Sequence, residues 1–203
     1  MLLGMTVVAL AILLVGESAA QEKKKAEKKM PSQEEMMKRW EASMMPGDAH
    51  KKLEAMVGTW DAEVKMWMNG PTGEATISKG TSINKLVLGG RYVEQDFAGE
   101  MMNQPFNGIG FTGYDNFKKK YISSWIDNMS TAMSTMDGSV DKQGSTFTLW
   151  GTMDEPMTGE RGKKVKYVTR IIDADKHIFK VYDVQAYGDK KPTMQITYTR
   201  KKS

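Results

Sequence analysis

The chain has 203 residues, 40% of them hydrophobic and 27% charged, with no cysteine, two histidines and a formal net charge of +4 at neutral pH. Without cysteine it has neither a disulfide framework nor a thiol nucleophile, and His50 and His177 alone do not make a His-rich metal site. The positive balance sits mostly in one short lysine run. No stripe of Lys and Arg interleaved with aromatics is present, so the charge does not describe a nucleic-acid-binding surface.

Residues 1–20, MLLGMTVVALAILLVGESAA, predict a secretory signal peptide. The apolar run from residue 5 to residue 16 is too short to span a bilayer comfortably, small residues stand at Ser18, Ala19 and Ala20, and Gln21 opens a highly charged segment. No Lys or Arg precedes the run, and no cysteine follows it, which excludes a bacterial lipid anchor. The expectation is a protein exported to the periplasm or beyond, with no stable membrane anchor. Loss of Glu17 with this segment raises the net charge to +5. Residues 21–29, QEKKKAEKK, carry five Lys and two Glu and read as a solvated leader.

Residues 32–45, SQEEMMKRWEASMM, predict a helix. Ser32 and Glu35 have capping-box spacing, and Met36, Met37, Trp40 and Met44 form one apolar stripe. Pro46-Gly47 breaks it. Asp48 is expected to cap a shorter helix over AHKKLEAMV, with Leu53, Met56 and Val57 on one side and Gly58 at its end. The organisation expected is a leader with a short helix over 21–45 and one domain over 46–203.

From Thr59 the period changes to two. TWDAEVKMWMN puts Trp60, Ala62, Val64, Met66 and Met68 on one face. Nine further segments follow: EATISKGTSINKLVL, RYVEQDFAGE, FNGIGFTGY, KYISSWID, AMSTMDGSVD, STFTLWGTM, KVKYVTRIID, HIFKVYDVQAY and TMQITYTRK, with turns such as DNFK, DKQG and DADK between them. No helix is predicted after Gly58. About ten consecutive antiparallel strands with hairpin-length connections form a meander, and closing it removes the exposed edges. The fold expected is mainly β, an antiparallel up-and-down barrel with the short N-terminal helices as lid or plug. A sandwich is the alternative.

The order short helix, Gly58-x-Trp60, first strand resembles the calycin arrangement of lipocalins and fatty-acid-binding proteins. That resemblance implies a Trp60 that closes one end of the barrel under a basic residue of the last strand, here Arg200. The segments GTW (58–60), LGGRYVEQ (88–95), QPFNGIGFTGYDNFKKKYISSWIDNM (104–129) and ITYTR (196–200) together resemble the DUF1579 family, small proteins of undetermined function. The resemblance spans roughly residues 48–202 and implies a lipocalin-like barrel. It carries over no catalytic residue.

Several motifs have plainer explanations. Gly108-x-Gly110-x-x-Gly113 has the spacing of a dinucleotide fingerprint but lacks a following helix and a βαβ unit, so close approach of a neighbour or a bend of the barrel explains it better. Asn128-Met129-Ser130 matches a glycosylation sequon by chance. The 18 methionines include Met66 and Met68 on one face, a soft-ligand pattern that suits copper(I), but that face also carries Trp60, Ala62 and Val64 and reads first as core or cavity lining. No acid–base or nucleophile motif appears, and Glu94, Asp96, Asp127 and His177 have no spacing that joins them.

In KYISSWID, Tyr121, Ser123, Trp125 and Asp127 share a face; either that face points into the barrel, or Trp125 joins an interstrand packing cluster and Asp127 stands exposed at the strand end, and the inward arrangement is the one followed. The site expected is therefore a pocket near one barrel mouth, with Trp125 and Asp127 facing a ligand and Met66, Met68 and Phe97 as apolar wall; Gly58, Trp60 and Arg200 are assigned to closure. The function expected is binding of a small apolar or amphipathic molecule, with no cofactor, no metal site and no nucleic acid. An enzyme on the same barrel and a methionine-based copper(I) or protein-interaction module are the alternatives. Signal-peptide cleavage before Gln21 predicts that N-terminal sequencing of exported protein reads QEKKK; a chain still beginning at Met1 would refute it.

Overall fold

The period-two alternation that starts at Gly58 forms a strand because every second side chain can be withdrawn from water on one face of a pleated sheet. A computed structural model describes residues 30–202. The expected signal peptide and the lysine-rich leader through Lys29 lie outside the described residues. Ten strands follow: β1 (Gly58–Met66), β2 (Thr76–Val87), β3 (Tyr92–Met101), β4 (Gln104–Asp115), β5 (Lys120–Asp127), β6 (Ser134–Val140), β7 (Thr146–Glu155), β8 (Glu160–Asp173), β9 (Lys176–Asp183) and β10 (Met194–Arg200). Each pairs antiparallel with the next, and β1 pairs with β10 as well as β2, so the sheet closes. The expected up-and-down barrel forms, and no free edge remains.

Register defines the interior. Trp60 lies opposite Ser82 on one side and Arg200 on the other; Val64 lies opposite Ile196, and Phe97 opposite Gly108. Two apolar clusters fill the barrel. One, built on Leu53, Met56, Val93, Tyr121, Phe147 and Val165, joins the barrel to the N-terminal plug. The other contains Trp60, Ala62, Val64, Phe97, Phe106, Ile196 and Tyr198.

The plug is the second of the two N-terminal helical segments. It runs as α2 (Asp48–Lys51) and tightens into a 3-10 turn over Lys52–Met56. Gly47, one residue before the expected Asp48, is the cap: its N–H donates to Nδ1 of His50 at 3.1 Å. Leu53 is fully buried, which drives the turn into the barrel end. By contrast α1 (Gln33–Met44) stays outside. The Ser32 hydroxyl accepts from the Glu35 N–H at 3.2 Å, as the capping spacing predicts, but no residue of the helix is buried. Its predicted apolar stripe does not pack on the barrel. Only its C-terminal carbonyls are held: Asn116 Nδ2 donates to Met45 at 2.8 Å and Arg91 Nη2 to Met44 at 2.7 Å.

Two sequence expectations need correction. The segment HIFKVYDVQAY is not strand throughout. β9 ends at Asp183, whose carboxylate accepts from the Ala186 N–H at 2.9 Å and caps a one-turn helix, α3 (Val184–Tyr187). β10 begins only at Met194, opposite Val181, so β9 has lost its partner on that side and the side-chain cap outcompetes the ladder with β8. Likewise β1 stops at Met66. Met68 lies in the following turn and is 45% exposed, so it is not on the inner face of the strand.

The Gly-x-Trp pair has a steric cause. Gly58 has φ +137°, and a Cβ there would lie 2.2 Å from Nη1 of Arg200. The guanidinium sits 4.2 Å from the centre of the Trp60 ring and donates to the Val57 carbonyl at 3.0 Å. Replacing Trp60 with Ala should cost about 3–5 kcal/mol, the range for a large buried aromatic. Arg200→Ala should cost less, and the double variant less than the sum, because the two side chains share one contact. Denaturant midpoints of the three variants measure this; additive losses would separate the pair.

Candidate functional site

The two barrel ends differ in what they leave polar. At the plug end a buried hydrogen-bond chain crosses from the sheet to the plug. Gln95 Nε2 donates to the Ser82 hydroxyl at 2.9 Å and to the Tyr198 hydroxyl at 3.1 Å; Ser82 donates to Asn84 Oδ1 at 2.7 Å; Asn84 Nδ2 donates to the Met56 carbonyl at 2.8 Å. Trp60 Nε1 donates to that same carbonyl at 3.0 Å. Burial pushes the Tyr198 hydroxyl up to about 12, against the opposing hydrogen bond from Gln95. A tyrosine so held stays neutral at any physiological pH and serves as a fixed acceptor.

His177 is the odd member of this end. Its ring stacks on Tyr198 at 4.5 Å and meets the Trp60 ring edge-on at 4.4 Å, and its Nδ1 is buried without a hydrogen-bond partner. Burial first, and the Arg200 charge second, push it down from 6.5 to about 4. It is therefore a neutral aromatic spacer. Glu94 and Asp96 lie on the outer face, Glu94 paired to Lys85 at 2.9 Å, and Asp127 lies at the opposite end of the barrel, so the four scattered acid–base candidates do not meet.

The other end is the mouth, where β1 finishes and β10 begins. Trp125 sits on β5 opposite Gly110, and its ring lies over Gly108 and Gly110: a Cβ at Gly108 would come within 2.1 Å of it. The fingerprint-like glycines are thus a seat for an aromatic ring. Trp125 Nε1 donates to Asp127 Oδ2 at 3.0 Å, while Asp127 Oδ1 accepts from the Met129 N–H at 3.0 Å. The Phe106 ring stacks parallel to Trp125 at 6.4 Å, and Phe97 meets Phe106 edge-on at 5.9 Å. Tyr167, pushed up by burial and then by the Asp127 charge, joins the group from β8.

Of the five residues expected to line a site, Trp125, Asp127 and Phe97 are gathered at or just below this mouth. Met66 faces inward opposite Met194 at its rim, and Met68 is outside it. Phe97 is 4% exposed and belongs to the packed core rather than to an open wall. Sequence reading missed the ion pair beside them. Lys163 Nζ lies 2.7 Å from Asp183 Oδ2, both side chains at most a tenth exposed. The Asp183 hydrogen bond raises the Lys163 pKa above its ordinary value. The signal available was weak: Lys163 and Asp183 each continue the inward parity of an apolar strand. Two open hollows lie on the outer surface. One of about 580 Å³ is flanked by Asp61, Glu63, Lys79 and Thr197, and one of about 250 Å³ lies between α1 and the barrel beside His50, Arg91 and Asn116. Among the described residues no three His, Asp or Glu side chains converge to hold a cation.

A closed ten-stranded meander, sealed at one end by a helical plug and a Gly-x-Trp under arginine and left polar and half-exposed at the other, is a lipocalin-like barrel. Within that class the chain belongs to the family described as protein of unknown function, DUF1579, whose family model matches residues 45–200. The match takes in the plug and the whole barrel. No curated protein matches the chain.

His177 makes a prediction about acid. Its folded pKa lies below its unfolded value, so its contribution is complete above about pH 6.5. It is lost as the unfolded chain takes a proton that the folded chain refuses, between 6.5 and about 4. That window should cost about 3 kcal/mol at most. The NMR resonances of the His177 ring should stay those of neutral imidazole down to about pH 5; titration near 6.5 in the folded protein would contradict the packing.

Proposed function

We propose that the protein is an exported lipocalin-like binding protein that takes a small, partly apolar molecule in a shallow cup at the barrel mouth. The observation that carries this reading is an asymmetry of burial. At the plug end the inward side chains are sealed, Trp60 and Leu53 completely, whereas at the mouth the inward-facing Met66, Met101, Trp125 and Met194 remain half-buried. Apolar walls with a few placed polar groups suit a small ligand, and here the polar groups are the Asp127 carboxylate, the Tyr167 hydroxyl and the Lys163–Asp183 pair. The packed Phe97–Phe106 layer beneath limits the depth, so the ligand is small or enters only in part. Export rests on the signal-peptide pattern of residues 1–20.

A second reading has its own observation. Met66 and Met194 are direct cross-strand neighbours at the rim, Met101 and Met194 pack on the same core cluster, and neighbouring thioethers suit copper(I).

Titration of the protein with fatty-acid and isoprenoid panels, and separately with copper(I), following tryptophan emission in wild type and in Trp125→Phe, tests both. A response to an apolar ligand that Trp125→Phe removes is expected. Asp127→Asn should weaken ligands with a donor group by about 1–3 kcal/mol and leave plain hydrocarbons unchanged. Copper binding abolished by Met66→Leu with Met194→Leu, and no organic response, would reverse the order of the two readings. Silence in every series would remove both.

A further inference from the structure

The plug end carries a feature that owes nothing to the mouth. Three segments meet there. The last carbonyls of α1 are bonded to Asn116, in the turn between β4 and β5, and to Arg91, in the turn between β2 and β3. Arg91 also donates through Nη1 to the Leu88 carbonyl at 2.9 Å. At the turn tips and in the last turns of α1 large apolar side chains stand in water: Phe117 is 88% exposed, Leu88 72%, Met45 64% and Trp40 56%. Beside Phe117 run Lys118, Lys119 and Lys120.

A phenylalanine left 88% exposed at a turn tip contributes nothing to the core, and the turn does not need it. The turn is built by Asp115, whose carboxylate accepts the backbone N–H groups of Phe117 and Lys118 at 2.8 and 2.9 Å. Leu88 is less expected still, since it holds a left-handed backbone conformation, φ +51°, that a β-turn normally gives to Gly or Asn. Apolar tips on one rim, one of them followed by three lysines, are the composition of a surface that meets headgroups and acyl chains together.

We propose that this rim docks the protein reversibly on an anionic lipid bilayer, with Phe117 and Leu88 entering the interface and the lysines meeting the headgroups. Charge complementarity selects this occupant. The Lys118 and Lys120 side chains are exposed; Lys118 is only loosely paired, 3.8 Å from an Asp115 carboxylate already bonded to the turn backbone, and Lys120 pairs with exposed Asp137 at 2.7 Å, so both ammonium groups can turn to phosphate. Long lysine stems let the ammonium groups stay at the headgroup level while the apolar tips go deeper. Projecting turn tips also suit a deformable surface, which needs no matching relief. Exposed Met44 and Met45 at the end of α1, whose carbonyls Arg91 and Asn116 hold, stand beside the same turns. Among the described residues no helix is long and apolar enough to cross a membrane, and a few side chains in the interface give weak, salt-sensitive attachment.

The test is vesicle flotation, using phosphatidylcholine alone and phosphatidylcholine with about one phosphatidylglycerol in three. The full chain and the chain beginning at Gln21 are run in parallel, because the apolar run at residues 5–16 can insert by itself. The chain from Gln21 should float with the anionic vesicles, stay behind with the neutral ones, and be released by salt. Phe117→Ser and Leu88→Asn should each lower partitioning about tenfold with no fall in thermal midpoint, as loss of one apolar side chain from the lipid interface requires. Lys118→Gln with Lys119→Gln should weaken binding to anionic vesicles alone. Three outcomes overturn the proposal: no preference for anionic vesicles in the shorter chain; binding that survives both apolar substitutions, which would assign it to the leader lysines; or no flotation together with a dimer, seen by sedimentation, that Phe117→Ser dissolves, which would assign the rim to a second copy of the chain.

Discussion

The Met56 carbonyl oxygen is the point on which this architecture turns. It ends the 3-10 turn with no intrahelical partner and accepts two side-chain donors, Trp60 Nε1 and Asn84 Nδ2, at 3.0 and 2.8 Å. Trp60 belongs to β1 and Asn84 to β2, so one acceptor ties the plug to two strands at once. A buried carbonyl left unpaired there would cost about 1–3 kcal/mol, so the geometry tolerates little movement. On the open side of the Trp60 ring stands Arg200 of β10, which completes the seam where the sheet closes on itself. Gly58 is required because any side chain would occupy the guanidinium's place.

Sealing one end has consequences for the rest of the barrel. The polar groups that follow Met56 inward, Asn84, Ser82, Gln95 and Tyr198, are satisfied in sequence, and they hold one side of the interior rigidly. His177 is accommodated only as a neutral ring between Tyr198 and Trp60. The opposite end has no such closure. There the inward face finishes on methionine, a half-buried tryptophan and a buried Lys–Asp pair, and the Trp125 ring lies flat on a glycine seat with its N–H turned to Asp127. Adaptability is thus concentrated at the mouth, where the thioether side chains are flexible.

The outer surface follows different rules from the interior. α1 is fastened by its carbonyls and not by its side chains, so its apolar stripe stays in water beside the exposed tips of two turns. Its own stability comes from local devices: the Ser32 cap and the Glu34–Lys38 and Glu35–Arg39 pairs one turn apart. A helix that stands on local interactions is free to present its apolar side to something other than the barrel.

By itself the sequence determined the ten strands, their order, the plug and the antiparallel class, because alternation, turn residues and caps act over a few residues and are written locally. Parity also placed Trp125 and Asp127 on one face. What parity cannot say is how far each strand is shifted against its neighbours once the sheet closes, and the closed register alone decides which inward side chains touch. That shift seats Trp125 on Gly108 and Gly110, joins Lys163 to Asp183 across two strands, threads Gln95 to Tyr198 across the interior, and withdraws Phe97 into the core. The α1 stripe marks the same limit from the other direction: its period specified a helix with an apolar side, but whether that side finds a surface to cover depends on what the barrel offers beside it, and the tertiary structure leaves it exposed.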